Sequence, residues 1–475
     1  MVSPEQINRA IEYQSRHGGR IGECLVATGA ISQDKLDDFL RRPPAEPTSL
    51  QATGVDPAVL MGLLLKLIYS CRLETERQFT DAIKLPYPIV ADLVHMATDR
   101  KLLMSLGSRE SVRFGETAYA LTEEGRRWTI DLVSHSGYVG PAPVTLEEFN
   151  EQVNRGKLSN EVITFDRIRQ STSALTLEDS LIEQCGPAIN SGRAILFYGL
   201  SGNGKTSLAH CLADVFDNVI YVPYAIIVEG QVIRIFDPCI HQAIEPVGFR
   251  DEGQFSLVRE VFDARWVPCN RPFVVAGGEL TLDMLDLRYD TVGCFYEAPL
   301  HVKALGGCFI IDDFGHQLVS PTNLLNRWIV PLENRVDYLK LHTGKTFSIP
   351  FEELIIFSTN LEPRDLMDAA FLRRIPYKIE IAGPSLEAFR TIFEKECARA
   401  WLDLPSGVFE TVVNKIRVER GATLACYQPK FIVDQVVAAC RFMQQPPHFE
   451  PRFLNYALDN LCINHAHEAR TKAAA

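Results

Sequence analysis

Residues 199–207 read Gly-Leu-Ser-Gly-Asn-Gly-Lys-Thr-Ser. Gly199, Gly204, Lys205 and Thr206 fall in the frame G-x-x-x-x-G-K-T, between the apolar run AILFY (194–198) and the helical pattern SLAHCLADVF (207–216). The chemistry this spacing serves is the holding of a triphosphate. Glycine lets successive backbone N–H groups turn inward around phosphate oxygens without a Cβ clash. The start of the following helix adds partial positive charge. Lys205 is placed to reach the β- and γ-phosphates, and the Thr206 hydroxyl to meet Mg²⁺. Ser201, Gly202, Asn203 and Ser207 complete the expected cradle for ATP. The strand-then-helix context argues against a chance glycine turn.

A cradle alone hydrolyses nothing, so a second, acidic strand end is required. GGCFIIDDFG (306–315) offers one: four apolar residues, Cys308 to Ile311, then Asp312 and Asp313. Asp312 is expected to hold Mg²⁺ through water, and Asp313 to orient or deprotonate the attacking water. The competing reading is a strand-end turn that caps the next helix. EELIIFSTN (352–360) is a third buried strand, with Asn360 at its tip to hold a water or sense the γ-phosphate. Arg373 and Arg374 follow on a helix end, before the strand pattern YKIEI. They either pair with surface carboxylates or reach a neighbouring subunit's γ-phosphate.

Phosphate loop, D-D strand, N-tipped strand, F-L-R-R and a helical tail together resemble the AAA+ ATPase family over roughly residues 150–450. The resemblance implies Lys205 and Thr206 at the Walker A positions, Asp312 and Asp313 at Walker B, Asn360 as sensor 1, and Arg373 or Arg374 as the arginine finger. Many relatives carry Glu where Asp313 stands, and Asp is a methylene shorter. Sensor 2 is usually an arginine; YQPKFIVDQVVAACRF offers Lys430 instead. VDYLKLHTGKTFSIPF (336–351) reads as a hairpin before the sensor strand and is similar to the pre-sensor-1 hairpin branch, which includes MoxR-like ATPases. The family implies a homo-oligomeric ring, usually a hexamer, with ATP at subunit interfaces. The gap between Lys205 and Asp312 is longer than the family's and suggests an insertion at about 220–300. Within it, IIVEGQVIRIF alternates like a hairpin; it either projects towards a pore or partner, or is decoration. A GTPase would need N-K-x-D, and the sole N-K here, NKIR (414–417), lacks the aspartate.

These motifs sit in a chain of 475 residues, too long for one core. With 46% apolar and 23% charged residues it reads as ordinary globular protein. The net charge of −12 argues against general affinity for nucleic acid or acidic membranes. The 12 cysteines form no C-x-x-C pair and fit a reducing cytoplasm. Cys462, His465 and His467 lack a fourth zinc ligand and read as a helix end. The start has no apolar signal core, and PAVLMGLLLKLIYSC (57–71) is too short to span a bilayer and reads as a buried helix.

The expected fold is multidomain: an α/β P-loop core of AAA+ type (145–385) with an α-helical lid and C-terminal helices (386–475), preceded by a small helical domain (1–42), a Pro-rich linker (43–55) and a winged-helix-like domain (56–138). Helices are predicted over 57–71, 74–84 and 87–104, and GYVGPAPVT (137–145) as a second linker. RIGECLVATGAISQDKLDDFL resembles the amino-terminal domain of type II secretion and type IV pilus assembly ATPases, through Arg20, Ile21, Gly22, Leu25, Gly29, Leu36 and Leu40. In one branch of that family tandem copies bind cyclic di-GMP. Here the first copy lacks its Arg-x-Gly half, which favours a docking module over a nucleotide site. A winged helix suggests DNA by analogy, but PYPIVADLVHMATDRKLL has basic residues only at its end. The reading is a cytoplasmic ATPase that remodels or assembles a protein complex, pilus or secretion machinery being candidates, with its protein client unnamed. The alternative is an ATP-gated DNA-binding regulator.

Overall fold

A computed structural model describes residues 2–18, 20–108, 117–244, 262–419 and 421–472, with side chains omitted at 37 and from 462 onward. The Cys462, His465 and His467 group therefore lies outside the described side chains. Three short helices open the chain: α1 (Pro4–His17), α2 (Ile21–Ala27) and α3 (Gln33–Arg41). Ser3 and Gln6 form a reciprocal cap on α1, with Pro4 at its first position. Only Ala10 and Cys24 are fully buried among the described residues of this piece. Gly22 matters for packing: a Cβ there would come within 2.9 Å of Leu36 Cδ1, so α2 crosses α3 closely.

Helices α4 (Pro57–Cys71), α5 (Glu76–Ile83) and α6 (Tyr87–Asp99) follow, then the antiparallel pair β1 (Leu103–Ser108) and β2 (Thr117–Leu121), and α7 (Glu123–His135). α4 is buried from Leu60 to Ile68, as its composition requires. That run includes Lys66, whose Nζ donates to the Ser136 carbonyl at 2.9 Å while burial pulls its pKa down to about 8. The predicted third helix, 87–104, is corrected: it ends at Asp99, because Lys101 takes a left-handed φ of 59° and the chain then extends into β1.

The two predicted linkers are ordered. Ala45 bridges to Phe262, Leu50 and Val55 join the helical core, and Val144–Thr145 forms β3. One buried guanidinium holds these segments. Arg265, 1% exposed, donates to Asp263 through Nε and Nη2 at 2.8–3.1 Å and to the carbonyls of Thr53 and Pro143 at 3.2 Å each. Composition marked these segments as loops; a cation from far along the chain fixes them.

Helices α8 (Leu146–Arg155), α9 (Phe165–Ser171) and α10 (Asp179–Ser191) lead to β4 (Ile195–Tyr198) and α11 (Lys205–Ala213). Next come β5 (Ile220–Pro223), β6 (Ala225–Val228), β7 (Gln231–Arg234), β8 (Trp266–Cys269) and β9 (Phe273–Ala276). After β10 (Arg288–Asp290), β11 (Phe295–Glu297) and α12 (Leu300–Lys303), the chain forms β12 (Cys308–Ile311), α13 (Pro321–Arg327) and α14 (Ile329–Asn334). β13 (Val336–Lys340) and β14 (Thr346–Pro350) make the predicted hairpin, and β15 (Leu354–Thr359), α15 (Pro363–Leu366), α16 (Ala369–Arg374) and β16 (Tyr377–Glu380) close the unit.

Two sheets result. The central one is parallel, ordered β16-β4-β15-β12-β9. Its residues alternate between two apolar layers: Leu196, Phe309 and Phe357 on one face, Ile195, Ile310 and Ile356 on the other. The insertion expected over 220–300 is thus interrupted, since 273–276 is a strand of this sheet. The second sheet runs β10-β11-β7-β6-β3. Its β6–β7 hairpin turns at Glu229 and Gly230, with φ of 50° and 76°. Ala225 and Val232 face the helical module; Ile226, Val228 and Ile233 face the opposite core. Both faces of this hairpin are covered within the chain, while Glu229 at its turn is exposed. Helices α17 (Leu386–Arg399), α18 (Val408–Asn414), α19 (Tyr427–Phe442) and α20 (Pro451–Lys472) pack around Phe389, Phe393 and Val436 as a separate apolar cluster.

The β13–β14 hairpin is fastened at its base and at its tip. Asp337 accepts from His301 at 2.8 Å and from Arg327 at 2.7 and 3.0 Å. Burial alone would raise its pKa; those two donors overcome that and hold it at about 2. At the tip, His342 meets Tyr296 and Lys345 meets Glu229.

These buried charges set the stability of the body. Arg265→Ala leaves Asp263 buried and unpaired, and is expected to cost about 3–5 kcal/mol in a denaturant melt; a loss below about 1 kcal/mol would show the pair is dispensable. Glu353, at the foot of β15, is fully buried with neither carboxyl oxygen hydrogen-bonded. Burial pushes its pKa well above the ordinary range, with Arg335 opposing. A raised folded pKa means the wild type is favoured at low pH and loses stability as pH climbs from the unfolded value of about 4.3 towards the folded one. Glu353→Gln should therefore melt above wild type at neutral pH and lose that advantage near pH 4; a pH-independent gap contradicts this.

Candidate nucleotide site

The loop from β4 to α11 turns at three glycines with positive φ: Gly199 (136°), Gly202 (82°) and Gly204 (83°). Two of them also lack room for a side chain. A Cβ on Gly199 would lie 2.5 Å from the Ile381 carbonyl oxygen, and one on Gly202 would lie 2.2 Å from the Tyr427 ring. Tyr427 opens α19, and its N–H donates to the Gly202 carbonyl at 3.0 Å. The helical tail is therefore docked on the loop itself, a contact the sequence did not reveal.

Lys205 is buried at the first position of α11; its Nζ donates to the carbonyls of Gly199 (2.8 Å) and Leu200 (3.0 Å). Burial pulls its pKa below the ordinary lysine value, and the carboxylates of Asp313 and Asp312 oppose that pull. The Thr206 hydroxyl lies 2.9 Å from both carboxylate oxygens of Asp312. Lys205, Thr206, Asp312 and Asp313 thus converge from the ends of β4 and β12. Hydroxyl and carboxylate oxygens with an adjacent ammonium suit a hard cation and a polyphosphate. The donor set fits Mg²⁺ with a nucleotide: Thr206 and Asp312 would hold the metal, Lys205 and the loop N–H groups the phosphates.

Asp313 is exposed and takes a left-handed φ of 50°. Asp enters this conformation more readily than longer or branched residues. The tight turn at this position gives the short acid a physical reason. The turn is fastened to β15: Phe314 N–H donates to the Ser358 carbonyl and the Thr359 hydroxyl to the Phe314 carbonyl, each at 2.7 Å. Asn360 follows at the exposed strand tip.

The remaining expected residues behave differently from one another. Asn203 is buried, its amide nitrogen 3.5 Å from the Ile381 carbonyl, so its side chain serves the loop–β16 junction. Ser201 and Ser207 are exposed. Arg374 is tied to Glu333 at 2.9 Å, the ordinary surface-pair reading. Arg373 is exposed, with no ion pair among the described residues. Lys430 is exposed on the first turn of α19.

A family model described as Domain of unknown function (DUF8689) matches residues 385–460, the helical tail. A stretch of 61 residues is 39% identical to the Type IV pilus assembly ATPase PilB of Myxococcus xanthus (strain DK1622), covering 13% of this chain and 11% of that protein. The match thus spans only a small part of the curated relative. Among solved structures, NtrX from Brucella abortus aligns at 12% identity and a TM-score of 0.35, over 64% of this chain and 56% of that one. A RuvB point mutant from Thermotoga maritima aligns at 12% identity and a TM-score of 0.31, over 64% and 73%. These similarities are low, and the site's chemistry is defined by the chain's own residues. Among the described residues no helix is long and apolar enough to cross a membrane.

Gly202→Ala tests the docking of the tail on the loop. The added methyl is blocked by the Tyr427 ring and the φ is unfavourable, so nucleotide affinity should fall at least roughly tenfold, as a cost of about 1.4 kcal/mol requires. Pairing it with Tyr427→Ala should recover part of the loss, read by fluorescent-nucleotide titration; no recovery would mean the ring is not the obstacle.

Proposed function

We propose that the chain is an AAA+ ATPase that binds and hydrolyses Mg²⁺-ATP, and that it works as a homo-oligomeric ring, a hexamer by family resemblance, to remodel or assemble a protein complex. The observation that carries this reading is the Thr206–Asp312 contact beside Lys205, which brings a hydroxyl, a carboxylate and an ammonium together at one end of a parallel sheet. Lys205 and the loop N–H groups hold the β- and γ-phosphates. Magnesium, when bound by Thr206 and Asp312, neutralises charge on those phosphates. Asp313 orients the attacking water or accepts its proton, and Asn360 steadies that water from the neighbouring strand tip. Arg373, exposed where Arg374 is tied down, is the better candidate to reach a neighbour's nucleotide. Lys430 stands at the lid position.

The PilB match supports a client in pilus or secretion machinery, and the resemblance of residues 20–40 to the amino-terminal domain of such ATPases supports residues 1–42 as a docking module. Cyclic di-GMP remains a ligand to test there by calorimetry on the full chain. The arrangement α4–α5–α6–β1–β2 supports a winged-helix-like module, and the unpaired cysteines a cytoplasmic location. The DNA-regulator alternative is disfavoured by α6: its exposed positions include Asp92 and Asp99, His95 pairs with Asp99 at 2.9 Å, and no Lys or Arg lies within the helix.

Phosphate release from ATP tests the reading. Lys205→Ala and Asp312→Asn should each lower turnover roughly a hundredfold or more; unchanged turnover in either would remove the assignment. Mixing Arg373→Ala with Asp313→Asn subunits should restore activity above either alone, because some interfaces regain both groups. No gain on mixing would argue against a shared site.

A further inference from the structure

A cavity of about 230 Å³ opens between the amino-terminal helices and the body of the chain, away from the loop at 199–207. Arg41 of α3 lines one side. Arg155 and Lys157, at and just beyond the end of α8, line the other, with Arg167 of α9 and Arg271 completing the wall. Against these five cations the lining holds one carboxylate, Glu161. Glu161 is already engaged, accepting from Arg167 at 2.8 Å and Arg271 at 3.4 Å.

Among the described residues, the other carboxylates that reach the cluster come from outside the lining. Lys157 pairs with Glu352 at 2.8 Å, Arg167 also pairs with Asp217, whose side chain is 80% exposed, and Arg155 stands 3.6 Å from Glu151. Arg41 has no ion pair among the described residues. Arg271 is the deepest, with its side chain 6% exposed. Its Nη1 donates to the carbonyls of Gly156 and Gly306, and its Nε is buried without a partner. Arg155, Lys157 and Arg167 are about one-third exposed, Arg271 is buried and Arg41 is exposed, so their charges face one space, and an anion placed there would gain from all of them.

The contacts that tie residues 1–42 to the body are few at this junction. Arg20 Nη1 donates to Asn160 Oδ1 at 3.3 Å, and the Arg155 guanidinium sits 5.6 Å from the Phe39 ring centre. The geometry points to a polyanion site in this cavity, for a ligand of the pyrophosphate class, either free or as the phosphate tail of a nucleotide. At roughly 30 Å³ per liquid water the cavity is worth about eight waters, more than one phosphate needs and below the ~300 Å³ of larger-ligand sites. Bound there, two linked phosphates bridge Arg41 on α3 to Arg155 and Lys157 on the body. The ligand thereby locks the amino-terminal helices onto the ATPase body.

The test uses the full-length chain carrying Lys205→Ala, so that the loop at 199–207 contributes little. Pyrophosphate and ADP are titrated by calorimetry at low and high salt, and hydrogen exchange is followed over residues 21–41. Pyrophosphate should bind with an affinity that salt weakens, and exchange in α2 and α3 should slow. Arg41→Ala with Arg155→Ala should weaken binding roughly ten- to a hundredfold, the loss of one or two charge-assisted contacts. Arg41→Lys should retain most of it, which a merely structural effect of the position would not distinguish by charge. ADP binding tighter than pyrophosphate, and lost in the double variant, identifies the nucleotide tail as the source; equal or weaker ADP binding identifies free polyphosphate. Absence of heat for both ligands, equal affinity in the double variant, or unchanged exchange on saturation overturns the proposal.

Discussion

The candidate site depends on one constraint, that β15 lies between β4 and β12 in the central sheet. Neighbouring strands are about 4.8 Å apart, so β4 and β12 are separated by about 10 Å. No strand-end residue of one can touch the other directly. The glycine loop must leave β4, pass over the tip of β15 and start α11 before Thr206 can meet Asp312 at 2.9 Å. Asn360 follows directly on β15, the strand between the two. The same constraint explains why the site lies at the carboxyl ends of parallel strands, where helix N-termini and strand-end side chains face the same space.

The local chemistry of this arrangement was legible because residue types report it. Glycines at 199, 202 and 204 are needed where φ is positive, and all three positions are positive. Cys308–Ile311 followed by two aspartates marks a buried strand and its polar end, and the hairpin at 336–350 shows in its alternation. What stayed hidden was contact between distant segments. FVVA (273–276) reads equally as insertion or core strand until its partner β12 is known. The segments at 43–55 and 137–145 read as linkers because Pro and Gly punctuate them; nothing local marks Arg265 as the cation that binds them. Tyr427 looks like any helix-start aromatic until Gly202 is beneath it.

The hairpin at 336–350 shows how a correct local reading can still leave the consequence open. Its strands pair as their alternation implies, yet Leu339, Leu341 and Ile349 are buried in the core of the second sheet. Asp337 is held by His301 and Arg327 at one end, and His342 and Lys345 are engaged at the other. The segment that enters β15 is therefore fixed to the insertion, not free to extend from the body. A shift of the β15 tip relative to Asp312 must strain either the short connection at 351–353 or the hairpin's grip on the second sheet. The second sheet in turn shares the apolar core of the helical module through Ala225 and Val232. Packed interiors transmit such displacements because they have little free volume to absorb them. Glu353, buried with neither carboxyl oxygen hydrogen-bonded, lies between this hairpin and the strand that carries the tip. An uncompensated buried acid is most costly where the surrounding backbone is least able to relax, so its position at the foot of β15 argues for a rigid joint between hairpin and strand.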